Sequence, residues 1–178
     1  SFPLSEEDVP CVRYFRNDIF RCEYREGIYS GYRYYGSFSK PVRYPFGHGL
    51  SYTAFVYGDL QLRKEEKNVV LSLFVRNSGK RKGRETVQIY AALPQSRIAR
   101  PLRELKAFRS VELDPGEEKQ IEMKIALEDL KYYDVLLERY ELEEGVYRFE
   151  AASSSEDIRL VRELFLPGYT FPCSTLKQ

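Results

Sequence analysis

Tryptophan is absent from this sequence, and histidine, methionine and cysteine are scarce, with one, one and three residues among 178. The three cysteines (Cys11, Cys22 and Cys173) are too few for a disulfide framework, and their odd number favours a reducing compartment. Free thiols are the preferred interpretation, and a Cys11–Cys22 pair stays open. Because there is no Cys-x-x-Cys motif and no group of His and Cys, the sequence argues against a structural zinc site.

An excess of one charge sign is also missing. The 28 Lys and Arg residues nearly balance the 27 Asp and Glu residues, which leaves a formal net charge of +1. We therefore expect no nucleic-acid partner and no attraction to an anionic membrane. No apolar run approaches the roughly 20 residues of a membrane span. Ser1-Phe2-Pro3 does not begin a signal peptide. A cytoplasmic location is favoured, and secretion stays open because a signal in a longer parent would lie outside this chain.

Aromatic residues, in contrast, are abundant and unevenly placed. The chain has 15 Tyr and 11 Phe, and many of them lie between Tyr24 and Tyr57. From about Thr53 onward, apolar and polar residues instead alternate with a period of two. This shift predicts an irregular, aromatic-rich first segment, residues 1–52, followed by a region of a different kind.

The alternation in the second region predicts short antiparallel strands, each with one face in a core and one face in water. Val69, Leu71, Leu73 and Val75 show the pattern most clearly. The predicted strands lie at 69–76, 86–91, 105–111, 121–127, 134–140, 146–151 and 158–165. Turn-forming residues at 77–79, 114–116 and 143–145 separate them, and 127–133 is predicted to form a helical turn. Spacing of this kind predicts a mainly β fold, a β-sandwich.

Several motifs extend this interpretation. They are EGIYSGYRYY at 26–35, YPFGHGLSYT at 44–53, RPLRELKAF at 100–108, LDPGE at 113–117, and further matches from 129 to 159. In this order they resemble the C-terminal region of family 3 glycoside hydrolases of the β-glucosidase type. The resemblance covers about residues 2–166. Ala107 stands where the family usually has glycine, which indicates a backbone position without positive φ. Residues 167–178 have no counterpart and are predicted to be a tail or linker.

The resemblance implies a fold and a parent. It implies an immunoglobulin- or fibronectin-III-like antiparallel sandwich over residues 53–166, preceded by a segment, residues 1–52, that leads from an α/β-sandwich catalytic domain. The parent would be a retaining enzyme that removes terminal β-linked sugars from oligosaccharides or glycosides, without a metal or organic cofactor. Its nucleophilic Asp would lie on a barrel domain and its acid/base Glu upstream of Ser1. We therefore expect no catalytic residue in this chain.

The expected role is that of an accessory domain. It would stabilise the barrel and α/β-sandwich domains and contribute to oligomerisation or to substrate access, so a homodimer and the parent's sugar substrate are further candidate partners. The acidic residues are expected to be solvated and close to their reference pKa values, unlike a matched acid and base. They include Glu85, Glu122, Glu141, Glu143 and Glu144.

Six residues are the candidates for an interdomain or substrate-proximal site: Tyr32, Arg33, Tyr34, Tyr35, Phe46 and His48. Tyrosine rings are enriched where domains meet, and they also stack on sugars, so both interpretations stay open. Arg33 is suited to pairing with a carboxylate across an interface. His48 lies between two glycines and is expected to anchor a sharp turn. Ser51 is near it, but nothing completes a catalytic triad.

Two functions of other classes remain. One is a free-standing immunoglobulin-like module that binds carbohydrate or protein, which glucan affinity in the isolated chain would favour. The other is a purely structural or dimerising fragment, which concentration-dependent sedimentation without sugar binding would favour. The basic stretch 80–84 is confined to one loop and is expected to be solvated, since a nucleic-acid site would need a longer basic stripe.

Overall fold

The computed structural model describes residues 1–15 and 25–171. In chain order its strands and α-helices are β1 (Phe2–Pro3), α1 (Val12–Phe15), α2 (Tyr32–Ser37), β2 (Val42–Tyr44), β3 (Phe55–Lys64), β4 (Asn68–Asn77), β5 (Gly83–Ala92), β6 (Glu104–Leu113), β7 (Glu118–Ala126), β8 (Tyr132–Asp134), β9 (Arg139–Leu142), β10 (Gly145–Ala152), β11 (Ile158–Leu166) and β12 (Tyr169–Phe171). Short 3₁₀ turns lie at Glu6–Asp8 and Leu127–Leu130. The second of these falls where the helical turn is predicted.

Seven of these strands form the sandwich. One sheet has the order β3-β4-β7 and the other has the order β11-β10-β5-β6, and every pairing is antiparallel. The predicted turns at 77–79, 114–116 and 143–145 connect successive strands. The fold prediction, a fibronectin-III-like antiparallel sandwich, is confirmed. One strand prediction is wrong, because residues 134–140 are not a continuous strand: Asp134 ends β8, Arg139 begins β9, and residues 135–138 form the turn of this hairpin.

The core lies between the two sheets and consists of the inward residues of the period-2 pattern. Leu71 and Leu73 from the first sheet meet Ile89 and Phe149 from the second, and all four side chains are fully buried. Tyr147 is also buried, and its hydroxyl donates to the Glu143 carbonyl over 2.9 Å. Burial raises the pKa of Tyr147 to about 12. This tyrosine therefore stays neutral and ties the start of β10 to the preceding turn.

Asn77 fastens one end of the sandwich. Its side chain is fully buried, and its amide donates to the carbonyls of Arg81 (2.7 Å) and Leu113 (3.0 Å). Its oxygen accepts hydrogen bonds from the Thr53 hydroxyl (2.6 Å) and the Gly79 N–H (3.0 Å). These four hydrogen bonds offset the cost of desolvating the buried amide, and they join three parts of the chain at this end.

The outer face of the second sheet departs from the alternation rule. Gln88, Tyr90 and Glu150 should face water by their position in β5 and β10, yet all three side chains are buried. The segment before β3 lies over them, and it carries α2 and the two-stranded β1–β2 ribbon. The expectation that these positions face water is therefore wrong, because a distant part of the chain covers this face.

A third, smaller sheet has the order β12-β9-β8, so part of the predicted tail, Tyr169–Phe171, pairs with β9. Cys11 is a free thiol. Cys22 and Cys173, and with them the Cys11–Cys22 alternative, lie outside the described residues. Within residues 1–15 and 25–171, no helix is long and apolar enough to cross a membrane.

Candidate interdomain surface

The EGIYSGYRYY motif places Tyr32 at the start of α2. Gly31, with φ of +56°, precedes the helix and turns the chain into it. The Tyr32 hydroxyl accepts the Leu105 backbone N–H of β6 over 2.8 Å. Burial raises the pKa of Tyr32, which keeps the hydroxyl neutral. The helix is therefore tied to the sandwich by one directed hydrogen bond from a side chain that the sequence singled out.

Phe46 completes an aromatic stack with Tyr32. The two rings are stacked at 5.2 Å between centroids, and Tyr90 of β5 meets the Tyr32 ring edge-on at 5.7 Å. Contacts of this geometry contribute about 0.5–1.5 kcal/mol each beyond area burial. The structure thus brings Tyr32 and Phe46 together, and Phe46 keeps 40% of its surface exposed.

Arg33 pairs within this chain. Its NH1 lies 3.4 Å from Glu104 Oε1, and both side chains are about one-third exposed. A second hydrogen bond joins its NH2 to the Ser30 hydroxyl at 3.4 Å. Because Lys106 also reaches Glu104, at 3.3 Å, the carboxylate has two cationic partners. Solvent screening at this exposure leaves each pair with only a small contribution to stability.

Tyr34 and Tyr35 lie on the same helix and pack differently. Tyr35 is buried at 5% exposure, and burial raises its pKa. Tyr34 is half-buried and meets the ring of Tyr35 edge-on at 5.3 Å and the ring of Phe38 at 5.1 Å. Tyr35 therefore holds the helix in place, and Tyr34 lies between it and the exposed ring of Phe38.

His48 lies in the tight turn after β2. Its N–H donates to the Pro45 carbonyl over 3.1 Å, and its exposed ring stacks on Tyr44 at 5.2 Å. In the described part of the chain, no hydrogen bond joins this ring to Ser51 or to another side chain. The stack on Tyr44 and the backbone hydrogen bond hold the turn.

Gly47 sets the path of that turn. Its φ is +82°, and a Cβ added there would lie 2.0 Å from Gln88 Nε2. Positive φ and close approach both require glycine. Gln88 cannot move freely, because its amide donates to the Ser153 carbonyl over 2.8 Å and accepts from the Tyr90 hydroxyl over 2.6 Å.

We expect Gly47→Ala to destabilise the chain by roughly 1–3 kcal/mol, the range for overpacking, because the new methyl would displace the Gln88 amide. Urea unfolding of the purified chain measures this. Gly49→Ala is the matched control, since Gly49 lacks positive φ and has nothing within 4 Å of an added Cβ. Equal midpoints for the two variants would contradict this account of the turn.

A polar layer beneath the aromatic stack was missed by sequence reasoning. Glu150 is 3% exposed, and its Oε2 accepts from Arg103 Nε over 2.6 Å. Arg103 also donates to the Ser155 carbonyl over 3.0 Å, and the Ser155 N–H donates to the Phe46 carbonyl over 2.8 Å. A buried ion pair therefore holds the loop that in turn holds Phe46. The RPLREL motif marks Arg103 as notable, but nothing local connects it to Glu150.

Two further carboxylates correct the expectation that the acidic residues are solvated. Glu141 and Glu143 are buried at 8% and 7% exposure. Glu141 pairs with Arg97 (2.5 Å) and Arg139 (2.6 Å), and Glu143 pairs with Arg100 (3.4 Å). Glutamates on short strands and turns resemble surface residues in sequence, and only the fold brings arginines from the 97–103 stretch over them. Glu122 and Glu144 are exposed as expected, and Glu85 is half-buried under the Tyr57 hydroxyl, 2.6 Å away.

Arginine lowers the pKa of two carboxylates in the described residues, Glu141 and Asp157. The hydrogen bond from Arg139 holds the pKa of Glu141 below its ordinary value, and the one from Arg159 does the same for Asp157. A glycosidase general acid needs the opposite, a carboxyl pKa raised towards neutrality. In residues 1–15 and 25–171, no group of three or more His, Cys, Asp or Glu side chains is placed to hold a metal ion.

Large apolar side chains are exposed around the turn, and we call them the exposed aromatic surface. They are Phe2, Leu4, Tyr44, Phe46, Leu50 and Tyr52. Phe2 meets Tyr44 edge-on at 6.2 Å across the β1–β2 ribbon. Leu50 is 95% exposed and lines an open cleft of about 480 Å³ together with His48. Tyr52 is 91% exposed, with Arg81 of the basic loop over its ring at 5.9 Å. Such patches usually mark interaction sites.

Comparison with known proteins gives consistent matches. Residues 85–155 match the family model for the fibronectin type III-like domain. Over 165 residues the chain is 36% identical to the β-glucosidase of Kluyveromyces marxianus. This alignment covers 92% of this chain and 20% of that protein. Over 164 residues the chain is 37% identical to thermostable β-glucosidase B of Acetivibrio thermocellus. This alignment covers 90% of this chain and 22% of that protein.

Solved structures agree with these matches. The crystal structure of the Kluyveromyces marxianus enzyme in complex with glucose matches 96% of this chain and 21% of its own, with a TM-score of 0.91 and 34% identity. β-Glucosidase 3B from Thermotoga neapolitana, in complex with α-D-glucose, matches 96% of this chain and 24% of its own, with a TM-score of 0.90 and 33% identity. The chain spans about a fifth of the length of the curated relatives it matches.

Proposed function

The chain is the fibronectin type III-like C-terminal region of a family 3 glycoside hydrolase of the β-glucosidase type, and from this premise we propose that it is a non-catalytic accessory region that braces the catalytic domains of its parent. The exposed aromatic surface is the docking face in this proposal. Residues 1–52 form the junction with those domains, and the sandwich supports it. The strand that follows the sandwich, β12, pairs with β9 in the small third sheet. The parent removes terminal β-linked sugars from oligosaccharides or glycosides.

The observation that carries this proposal is the pairing of an exposed apolar surface with a rigid support. Tyr44, Leu50 and Tyr52 are open to solvent, although Tyr rings and Leu side chains gain free energy on burial. The turn that presents them is fixed by Gly47 against Gln88 and by Phe46 against Tyr32. A preorganised apolar face loses little conformational entropy on docking, which favours a stable interface between domains.

The arrangement of the motif tyrosines supports packing over sugar stacking. A sugar platform needs an open ring face, but one side of the Tyr32 ring is covered by Phe46 and the Tyr90 ring meets it edge-on. Tyr35 is buried. In this proposal Tyr32, Arg33, Tyr34 and Tyr35 fix the junction, while Phe46 and His48 lie at its docking edge.

The non-catalytic part of the proposal is supported by the carboxylates. Glu141, Glu143 and Glu150 are each held by arginine. Hydrogen bonds from arginine lower the pKa of Glu141 and of Asp157, the opposite of the raised carboxyl pKa that a glycosidase general acid needs. The parent's acid and nucleophile therefore belong to its other domains in this proposal.

Co-expression of this chain with the remainder of the parent, as two separate polypeptides, tests the proposal. We expect the two to co-purify, and the chain alone to show no hydrolysis of an aryl β-glucoside above background. Replacing Leu50 and Tyr52 together by serine should weaken the association about tenfold or more, because buried aromatic anchors dominate interface energies. Phe108→Ser is the control, since Phe108 is exposed at 69% on β6, outside this surface.

Three outcomes would overturn the proposal. They are failure of the wild-type pair to associate, equal weakening by the control and the double variant, and turnover that tracks the purified chain through successive columns.

A further inference from the structure

Four strands of the sandwich have one unpaired side: β3 and β7 in one sheet, and β6 and β11 in the other. Each has nine or ten residues, whereas strands in globular proteins usually have about five or six. The unpaired side of a strand presents a row of N–H and C=O groups to which a strand of another chain can add. Long open edges of this kind therefore need something that prevents strand addition.

At the corner where β6 meets β7, two basic side chains cross from one sheet to the other. Arg109 of β6 donates from Nη1 to the Glu122 carbonyl of β7 over 3.0 Å. In the opposite direction, Lys119 of β7 donates from Nζ to the Glu112 carbonyl of β6 over 2.9 Å. Each bond occupies a backbone acceptor that an incoming strand would need for its own N–H groups.

The strand register places such carbonyls on the open side of their strands. The Asn77 N–H donates to the Glu117 carbonyl over 2.9 Å, so this residue of β4 directs its backbone groups towards β7. Its partner in β3, Phe55, therefore directs its carbonyl away from β4. Because residues of β4 alternate, Ser72 faces β3, and its partner Glu122 directs its carbonyl away from β4 as well. Both carbonyls belong to open edges.

Arg159 of β11 holds the edge of β3 at the other corner. Its Nη1 donates to the Phe55 carbonyl over 2.6 Å. Further along β3, the register shifts between Gly58 and Gln61, and Asp59 lies there with φ of +50°. An irregularity of this kind interrupts the regular row of backbone groups on an edge. The edge of β3 is thus closed at its start and broken in its middle.

Other basic residues of the sandwich do not behave in this way. Arg76 of β4 and Lys124 of β7 are exposed, and within the described part of the chain neither donates to a carbonyl. Lys124 reaches Glu65 only at 3.8 Å. Ordering a long basic side chain costs conformational entropy, and an exposed hydrogen bond returns little stability because water competes for both groups. Stability alone is therefore a weak reason for the bonds across the corners.

We propose that Arg109, Lys119 and Arg159 block the addition of a strand from another copy of this chain to the open edges of the sandwich. Each holds an edge carbonyl that the incoming strand would need. Each also leaves a positive charge at the edge, and the same edge of a second copy would bring the same charge against it. The device lies on the sandwich edges, so it does not depend on the proposed docking to catalytic domains.

Replacing Arg109 and Lys119 together by alanine opens the β6–β7 corner. We expect this double variant of the 178-residue chain to assemble at a protein concentration about tenfold or more below that of the wild type, followed by thioflavin T fluorescence and sedimentation velocity. Arg76→Ala with Lys124→Ala is the matched control, since it removes two exposed positive charges from the same sheet system and no bond to a carbonyl. A double variant that assembles no more readily than the wild type, or a control that assembles as readily as the double variant, overturns the proposal.

Two further measurements separate a blocked edge from support of the fold. Arg109→Lys with Lys119→Arg keeps a cationic donor at both positions and should restore the wild-type behaviour. A fluorescently labelled peptide with the sequence of residues 118–126 is a direct probe of the edge, and it should bind the alanine double variant about tenfold or more tightly than it binds the other three chains. Circular dichroism verifies that all four chains are folded. Equal peptide binding by all four would show that assembly starts from unfolded protein and would overturn the proposal.

Discussion

Glu150→Ala should destabilise the isolated chain by about 3–5 kcal/mol, the cost of leaving a buried charge without its partner. The removed carboxylate is 3% exposed and pairs with Arg103 at 2.6 Å and with Arg148 at 2.8 Å. Arg103 is only 17% exposed, so its guanidinium would remain desolvated after the substitution. Urea unfolding followed by circular dichroism measures the loss.

A surface glutamate provides the comparison for this prediction. Glu66 is exposed in the connection between β3 and β4, and Glu66→Ala should change the free energy of unfolding by less than about 0.5 kcal/mol. Hydrogen exchange adds a local readout, since Arg103 also holds the Ser155 carbonyl and Ser155 holds the Phe46 carbonyl. The amide of Ser155 should exchange faster in Glu150→Ala. A cost as small as that of Glu66→Ala would show that water reaches and screens the pair.

The sandwich could be predicted because its information is local. In β7 buried and exposed residues alternate, and in β4 buried residues alternate with half-buried or exposed ones apart from the buried Val70, so alternation identifies each strand and its inner face together. Turn residues at Asn77, Asp114 and Gly145 then fix where each strand ends. The prediction failed at 134–140, where the run Val135–Leu137 has a strand composition. Those side chains are exposed on a hairpin, and apolar character alone cannot distinguish a buried strand from an apolar loop.

The covered face of the second sheet could not be predicted from alternation. Tyr90 and Glu150 occupy outward positions, and they are buried because Tyr32 and Phe46 pack over that face from a segment more than 40 residues away. The motif tyrosines stay a predicted interdomain or substrate-proximal site, and the structure shows that Tyr32 and Tyr35 pack within this chain. The sequence could not show this packing within the chain, because the hydrogen-bond partner of Tyr32 is the backbone N–H of Leu105. Every residue except proline has a backbone N–H, so the sequence around Leu105 does not mark it as a partner.

In the full-length parent, Phe46→Ala should cost roughly 3–5 kcal/mol if docking buries the rest of the ring. In the isolated chain, where 40% of Phe46 is already in water and one face packs on Tyr32, the same change should cost about 1–2 kcal/mol. The difference between the two measurements reports the free energy that docking adds at this residue. Thermal unfolding of both forms, measured side by side, gives it.

Tyr32→Phe tests whether Tyr32 acts in the domain junction or contacts the substrate. It removes the acceptor of the Leu105 N–H and should cost about 1–3 kcal/mol in the chain and in the parent alike, since that N–H lies under the aromatic segment in both. In the parent we expect the melting temperature and kcat to fall together for Phe46→Ala, because a displacement near 1 Å between catalytic groups costs about 10²-fold in rate. A sugar contact would act differently: His48→Ala would change KM selectively and leave the melting curve unchanged, and Tyr32→Phe would raise KM beyond what its loss of stability explains. Variants with normal melting curves and altered sugar preference would place these residues at the substrate and remove the docking role proposed for them.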